Sequence, residues 1–267
     1  MDASAPPRGL RVTSSPVAGL RVTRRDVATP RATVIAIHGG LDRGGSFARL
    51  ARRLDDVSLV TYDRRGYQGS RALGPGRLQD HAADLLALVD RARADGPVVA
   101  FGHSFGGLVA LTAAVAEPRR LDAVIAYESP LPWVLTRPDA SPAPHGDPAR
   151  LAEGFFRRMV GTAAWERLSE PERQSRRDDG PALMADLTAL HEVAPWRPEQ
   201  IDTRTVYAYG DNERTPYYRA LVRELATASP VVTSAELRGA GHGAHLSSPD
   251  DVARLIMTVV EETCVSE

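Results

Sequence analysis

One serine in this chain stands in a turn that could expose it as a nucleophile. Residues 102–106 read Gly-His-Ser-Phe-Gly, so Ser104 has a glycine two positions away on each side. An apolar run at 98–101 precedes the turn, and a helix of small residues is predicted at 108–114. In this context the glycines let the backbone cross closely and hold the serine hydroxyl at the carboxyl edge of a sheet. Without it, the five residues would be an ordinary glycine-rich turn.

A second glycine-containing stretch could stabilise negative charge on a reacting oxygen atom. Residues 38–40 read His-Gly-Gly and directly follow the apolar run at 33–37. A glycine pair after a strand leaves backbone N–H groups free to face a ligand. We therefore expect the N–H group of Gly40 to form one half of an oxyanion hole. The N–H group of Phe105, which directly follows Ser104, is expected to form the other half.

Two histidines compete for the role of a general base. Residues 239–245 read Gly-Ala-Gly-His-Gly-Ala-His and directly follow the last predicted strand, 231–237. A serine hydroxyl needs a base within hydrogen-bond reach, and a glycine-rich loop can bring an imidazole across to it. We favour His242 over His245, which we expect to begin a helix or to face an inserted segment. No histidine has a metal-ligand spacing with a carboxylate, so no metal is expected.

The elements that must position these residues alternate along the chain. Strands are predicted from apolar runs at residues 33–37, 57–62, 98–101, 121–127, 205–209 and 231–237. Runs that are apolar on both faces are typical of parallel strands buried between helices. The expected fold class is α/β, with a mostly parallel central sheet flanked by helices.

The pattern changes between residues 130 and 198, where no apolar strand is predicted. This part is rich in proline and arginine, and helices are predicted at 149–160, 163–177 and 182–193. An all-helical insertion between two strands of an α/β sheet predicts a cap over the active edge. The predicted domains are a core, residues 1–129 and 199–267, and a helical cap, residues 130–198.

The composition excludes several functional classes. The chain has 267 residues, of which 43% are hydrophobic, and a net charge of −1 with scattered arginines, so neither a nucleic-acid nor a membrane partner is expected. Because lysine is absent, Schiff-base and Walker-type phosphate chemistry are excluded. One cysteine and no signal-like or membrane-spanning run predict a cytoplasmic protein. The expected partner is a small-molecule substrate, and a homodimer is left open.

Taken together, the motifs resemble the α/β-hydrolase superfamily, and within it the capped, esterase- or lipase-like serine hydrolases. The motifs that carry the resemblance lie, in chain order, at residues 38–40, 63–70, 102–107 and 239–242. The resemblance covers nearly the whole chain and is weakest in the cap. It implies that Ser104 is the nucleophile and His242 the base, and that the reaction needs no cofactor.

The acid that orients the histidine has three candidates. Most members of this fold carry it three positions beyond a glycine after the strand that follows the cap, which is Glu213 here, with Asp211 close by. Some relatives carry it after the preceding strand, where this chain has Glu128. Glu128 directly follows an apolar strand, whereas residues 211–214 form a polar turn that solvent exposure would explain. We favour Glu128 and keep Glu213 and Asp211 as alternatives.

The expected function is hydrolysis of a small carboxylic ester, thioester or lactone through a Ser-His-acid triad and an acyl-enzyme. The same scaffold could instead carry out C–C bond hydrolysis, acyl transfer or cofactor-free lyase or oxygenase chemistry, because a fold does not fix the reaction. Dehalogenase and epoxide hydrolase chemistry are disfavoured, because the resemblance would require a carboxylate where Ser104 stands. A non-catalytic ligand-binding protein is the alternative from another class.

Overall fold

Eight strands form one sheet in the computed structural model, which describes residues 11–138, 142–212 and 214–265. The strands are β1 (Arg11–Val17), β2 (Leu20–Asp26), β3 (Thr33–Ile37), β4 (Ser58–Tyr62), β5 (Val98–His103), β6 (Ala123–Tyr127), β7 (Thr205–Gly210) and β8 (Val232–Leu237). Their order in the sheet is β1-β2-β4-β3-β5-β6-β7-β8. β2 pairs antiparallel with β1 and β4, and every other neighbouring pair is parallel.

Helices cover both faces of this sheet. They are α1 (Ala48–Ala51), α2 (Leu78–Ala92), α3 (Phe105–Ala116), α4 (Pro148–Met159), α5 (Thr162–Arg167), α6 (Glu170–Asp178), α7 (Gly180–Ala189), α8 (Thr215–Ala228), α9 (Ala244–Ser247) and α10 (Pro249–Val265). The predicted fold class, a mostly parallel sheet flanked by helices, is confirmed. In the described part of the chain, no helix is both long and apolar enough to cross a bilayer.

Side chains of β3 alternate between two apolar layers. Ile35 and Ile37 pack in a cluster with residues of α2, α3 and α8. Val34 and Ala36 pack on the opposite face with residues of α1 and α10. All five residues of the strand are buried, as expected for a parallel strand between two helical layers.

The pairing register aligns the carboxyl ends of the central strands. Ile37 of β3 pairs with Gly102 of β5, and His103 of β5 pairs with Tyr127 of β6. Tyr127 pairs in turn with Ala208 of β7. Residues that follow these strands therefore lie along a single edge of the sheet, where ligand sites of open α/β sheets are found.

Helices α4 to α7, here called the helical segment, connect β6 to β7 and have a small apolar core of their own. Buried side chains of this core come from the segment and from one loop residue after β3: Ala152, Phe156, Trp165, Leu183 and Leu41. The predicted helix at 163–177 is wrong in one respect, since the structure has two helices there. Ser169 begins α6 through a reciprocal capping interaction with Glu172, and Pro171 lies in the first turn.

A buried ion pair connects the helical segment to the sheet. Arg64, which follows β4, contacts Asp186 of α7 through two hydrogen bonds, Nη2 to Oδ2 at 2.6 Å and Nη1 to Oδ1 at 3.1 Å. Both side chains are buried, and the Tyr67 hydroxyl also donates to Asp186 at 2.6 Å. Burial alone would raise the pKa of Asp186, but the Arg64 charge and its hydrogen bonds hold that pKa far below its ordinary value.

Removal of the Asp186 charge should destabilise the fold. We expect Asp186→Asn to lower the free energy of unfolding at pH 7 by about 3–5 kcal/mol, because the variant leaves the Arg64 guanidinium buried without a counter-charge. The measurement is urea unfolding followed by circular dichroism. Asp251→Asn, which breaks a pair with Arg254 on the surface of α10, is the control and should cost less than about 1 kcal/mol.

The Arg64–Asp186 pair also makes the free energy of unfolding depend on pH. A carboxyl whose pKa is lower in the folded than in the unfolded chain stabilises the fold fully above its unfolded pKa of about 3.9, and the stabilisation declines as pH falls below that value. The difference in unfolding free energy between wild type and Asp186→Asn should therefore shrink between about pH 5 and pH 3. A difference that stays constant over this range would contradict the assignment of a charged Asp186.

Candidate active site

Ser104 lies in the turn between β5 and α3, at the aligned edge of the sheet. Its φ of 52° is in the left-handed region, which non-glycine residues seldom adopt. The flanking glycines make the turn possible: a Cβ on Gly102 would lie 2.4 Å from the Gly107 nitrogen, and one on Gly106 would lie 2.1 Å from the Ile37 carbonyl oxygen. The sequence requirement for glycine at both positions is therefore steric.

Glu128 and His242 are in direct contact, although 114 positions separate them in the sequence. Glu128 directly follows β6 and is 2% exposed, and its Oε2 lies 2.7 Å from His242 Nδ1. His242 lies in the loop after β8. An ionised carboxylate can only accept a hydrogen bond, so Nδ1 of the histidine carries the hydrogen. In the neutral ring, Nε2 then keeps a lone pair that can accept a proton.

Three further groups hold the Glu128 carboxylate. The Gly210 N–H and the Asn212 side-chain amide donate to Oε1 at 3.0 and 2.9 Å, and the Tyr218 hydroxyl donates to Oε2 at 3.2 Å. Burial alone would raise the pKa of Glu128, but the contacts with His242, Gly210 and Asn212 lower it below its ordinary value. This carboxyl group is therefore ionised at neutral pH.

Asp211, one of the two alternative acids, does not contact His242 in the part of the chain that the structure describes. Asp211 is exposed, and its backbone N–H donates to the Leu237 carbonyl. Glu213 lies outside the described residues. Sequence reasoning missed Asn212 and Tyr218 as partners of Glu128. Asn212 lies within the polar turn at 211–214, where the alternative acids were considered. Its position there was the signal that could have identified it as a neighbour of the site.

Two side chains of neighbouring strands hold the loop that carries His242. His103 Nε2 lies 2.7 Å from the His242 carbonyl oxygen, and the Tyr127 hydroxyl donates to the Gly241 carbonyl at 2.8 Å. Burial lowers the pKa of His103 well below its ordinary value, so this ring is neutral and donates through an Nε2–H group. His103 thus helps to fix the loop.

Ser104, Glu128, His242, Gly40 and Phe105 all line one cavity of about 230 Å³. Gly40 follows β3, and Phe105 is the first residue of α3. Within residues 11–138, 142–212 and 214–265, neither of these two backbone N–H groups binds an acceptor, so both are available to a ligand. In the same ranges, no hydrogen bond joins the Ser104 hydroxyl to the His242 ring.

Arg64 also fixes the backbone next to Gly40. Its Nε donates to the His38 carbonyl at 3.0 Å, and its Nη2 donates to the Gly39 carbonyl at 3.2 Å. The guanidinium lies 5.0 Å from the centre of the Phe105 ring. Arg64, the partner of Asp186, therefore lies next to both residues that line the cavity with an unpaired backbone N–H group in the described chain.

His245, the second base candidate, lies outside the cavity lining. It is 2% exposed, its Nε2 lies 3.3 Å from Asp42 Oδ2, and its ring centre lies 4.4 Å from that of His103. The ligand atoms of Asp42, His103 and His245 lie within 4.8 Å of one another and could contact one metal ion. Donor atoms of a tetrahedral zinc site with bonds of about 2 Å lie only about 3.3 Å apart, so these side chains would have to move closer. The expectation of no metal stays a prediction.

Comparison with known proteins identifies the family. Residues 34–255 match the model of the alpha/beta hydrolase family. Lipase LipV of Mycobacterium tuberculosis is 30% identical over 149 residues, which are 55% of this chain and 57% of the lipase, so the chain spans little more than half of that relative. The pimeloyl-[acyl-carrier protein] methyl ester esterase of Yersinia pseudotuberculosis is 26% identical over 86% of this chain and 93% of the esterase.

A solved structure shows the same fold. The crystal structure of Cfl2 from Burkholderia cenocepacia superimposes with a TM-score of 0.69 at 20% identity, over 94% of this chain and 97% of that one. The match with the family model covers most of the sequence, and the sheet order and the serine turn agree with the resemblance stated from the motifs. The chain therefore belongs to the alpha/beta hydrolase family.

Proposed function

We propose that this protein is a serine hydrolase that cleaves a small carboxylic ester, thioester or lactone through an acyl-enzyme. The observation that carries the proposal is the 2.7 Å contact between the buried Glu128 carboxylate and His242 Nδ1, beside a cavity that Ser104 also lines. An ionised acid, an imidazole with a free Nε2 and a serine hydroxyl are the three groups that this chemistry needs. The lipase and the esterase among the relatives support the same class of reaction.

The proposed mechanism begins with attack of Ser104 Oγ on the carbonyl carbon. His242 Nε2 takes the hydroxyl proton as the new C–O bond forms, after rotation of the two side chains into hydrogen-bond contact. Glu128 keeps Nδ1 protonated and stabilises the imidazolium. The ring then protonates the leaving alcohol or thiol as its bond to the acyl carbon breaks. Water, deprotonated by His242, releases the acid and restores the serine.

Gly40 and Phe105 form the proposed oxyanion hole. Both residues line the cavity and their N–H groups bind no acceptor in the described chain, so these groups are available to donate to the oxygen that becomes negative in the tetrahedral intermediate. A single donor of this kind stabilises a transition state by about 3 kcal/mol. We assign Arg64 the role of a positioning residue, because it binds the carbonyl groups directly before Gly40.

We further propose that residues 130–198 act as a cap on a core of residues 1–129 and 199–267. The cavity is lined from both sides, by Ser104 and His242 of the core and by Phe155, Leu183 and Leu187 of the helical segment. Its volume of about 230 Å³ is below the usual 300–1,000 Å³ of small-molecule sites. This size favours a substrate with a short acyl chain.

The first test is covalent labelling of the nucleophile. A fluorophosphonate probe should label the wild-type protein and the Ser247→Ala control, in which an exposed serine is removed. Ser104→Ala should lose the label and all hydrolysis of p-nitrophenyl esters above the background rate. Labelling that persists in Ser104→Ala, or is absent from the wild type, would overturn the proposal in favour of another chemistry or a binding protein.

The second test separates the three acids. Glu128→Gln should lower kcat for p-nitrophenyl butyrate by roughly 10³–10⁴-fold, because the amide no longer stabilises the imidazolium or fixes its tautomer. Asp211→Asn should stay within about twofold of the wild type, because Asp211 is exposed. Glu213→Gln should also keep its activity if Glu128 is the acid. Circular dichroism checks that each variant is folded. Full activity of Glu128→Gln with a loss in either of the others would reassign the acid.

A further inference from the structure

The cavity beside Ser104 combines apolar walls with cationic side chains. Five apolar side chains form much of its lining: Leu131, Phe155, Met159, Leu187 and Leu190. Three arginines, Arg137, Arg158 and Arg214, line the same cavity. Arg158 is exposed and the other two are half-buried, so the positive charges border the part of the cavity that faces solvent.

The carboxylates in the lining do not pair with Arg158. Glu128 is bound by His242, Gly210 and Asn212, and Asp186 is bound by Arg64, so each is already satisfied by its own donors. A ligand in the cavity therefore experiences the positive charge of Arg158, strengthened by the low-dielectric apolar walls.

Arg158 is held in a defined place at this border. It is on α4, and its guanidinium carbon lies 5.4 Å from the centre of the Phe155 ring, which itself lines the cavity. In the part of the chain that the structure describes, Arg158 forms no ion pair with a carboxylate. A guanidinium stacked on an aromatic ring keeps its N–H edge available for a bidentate acceptor.

Arg137 and Arg214 lie close enough to Tyr218, a neighbour of the candidate catalytic groups, to affect its hydroxyl. Burial and the Glu128 charge raise the pKa of the Tyr218 hydroxyl, and Arg137 and Arg214 oppose that increase. Their charges therefore act on a residue that contacts Glu128 directly.

We propose that the natural substrate carries an anionic group, a carboxylate or phosphate, separated from the scissile bond by a short apolar chain. The chain would pack against the leucines and Met159, and the anion would bind Arg158. This inference rests on the proposed ester hydrolysis, since it names the substrate class of the same site.

The kinetic test compares two esters that differ only in the terminal group, a free carboxylate in one and its methyl ester in the other. They are p-nitrophenyl hydrogen adipate, which is anionic at pH 7, and p-nitrophenyl methyl adipate, which is neutral. At low ionic strength, kcat/KM for the anionic ester should exceed that for the neutral ester by about tenfold or more, mainly through KM, and the ratio should fall with added salt. Equal rates, or a preference for the neutral ester, would overturn the inference.

Variants on one helix supply the matched control. Arg158→Gln should lower the ratio of the two kcat/KM values severalfold. Arg150→Gln, also on α4 but outside the cavity lining and with its side chain 92% exposed, should keep the wild-type ratio. A ratio that Arg158→Gln leaves intact, or that both variants lower equally, counts against the assignment.

A binding measurement separates this inference from the proposed function. Isothermal titration of the Ser104→Ala protein with monomethyl adipate should give tighter binding than with dimethyl adipate, and Arg158→Gln added to this background should remove the difference. A binding preference without any turnover in the wild type would overturn the hydrolase and keep the anion site. Ester turnover in the wild type with neither a kinetic nor a binding preference for the anionic compound would overturn the anion site and keep the hydrolase.

Discussion

The hydrogen bond between Glu128 and His242 depends on almost every long-range feature of the fold. The two residues are 114 positions apart, and they meet because β6, β7 and β8 are neighbours in a parallel sheet whose carboxyl ends share one edge. The charged carboxylate is tolerated in a buried position because four donors surround it. Tyr127 and His103 then fix the backbone of the histidine loop against the same edge.

The parts of the site that the sequence predicted are those with local steric or polar demands. The turn at Ser104 needs glycine on both sides, and this steric requirement is visible in the sequence as a motif. Glu128 was favoured because an acid directly after an apolar strand is unusual. Asn212 and Tyr218 were missed as its partners, since each contacts Glu128 only after β7 and α8 have packed beside β6.

The fold class was predictable because β3, β5 and β6 are apolar on both faces, which a parallel sheet between helices requires. Boundaries in the helical segment were harder. Residues 163–177 have helical spacing throughout, and the division into α5 and α6 depends on the capping interaction of Ser169 with Glu172. The loop at 63–70 carries one of the motifs on which the resemblance rests. The structure adds that Arg64 extends from it to Asp186, a contact across 122 positions that no local pattern encodes.

The Arg64–Asp186 pair also limits how a ligand can enter and leave the cavity beside Ser104. If α7 moved away from the sheet as a rigid body, the buried hydrogen bonds between Arg64 and Asp186 would break. Arg64 would then no longer be fixed where it binds the carbonyl groups next to Gly40. Such a movement would disrupt the candidate active site each time α7 moved away. We therefore expect ligands to enter and leave the cavity when the solvent-facing side chains at its rim rotate, while α7 stays packed in place.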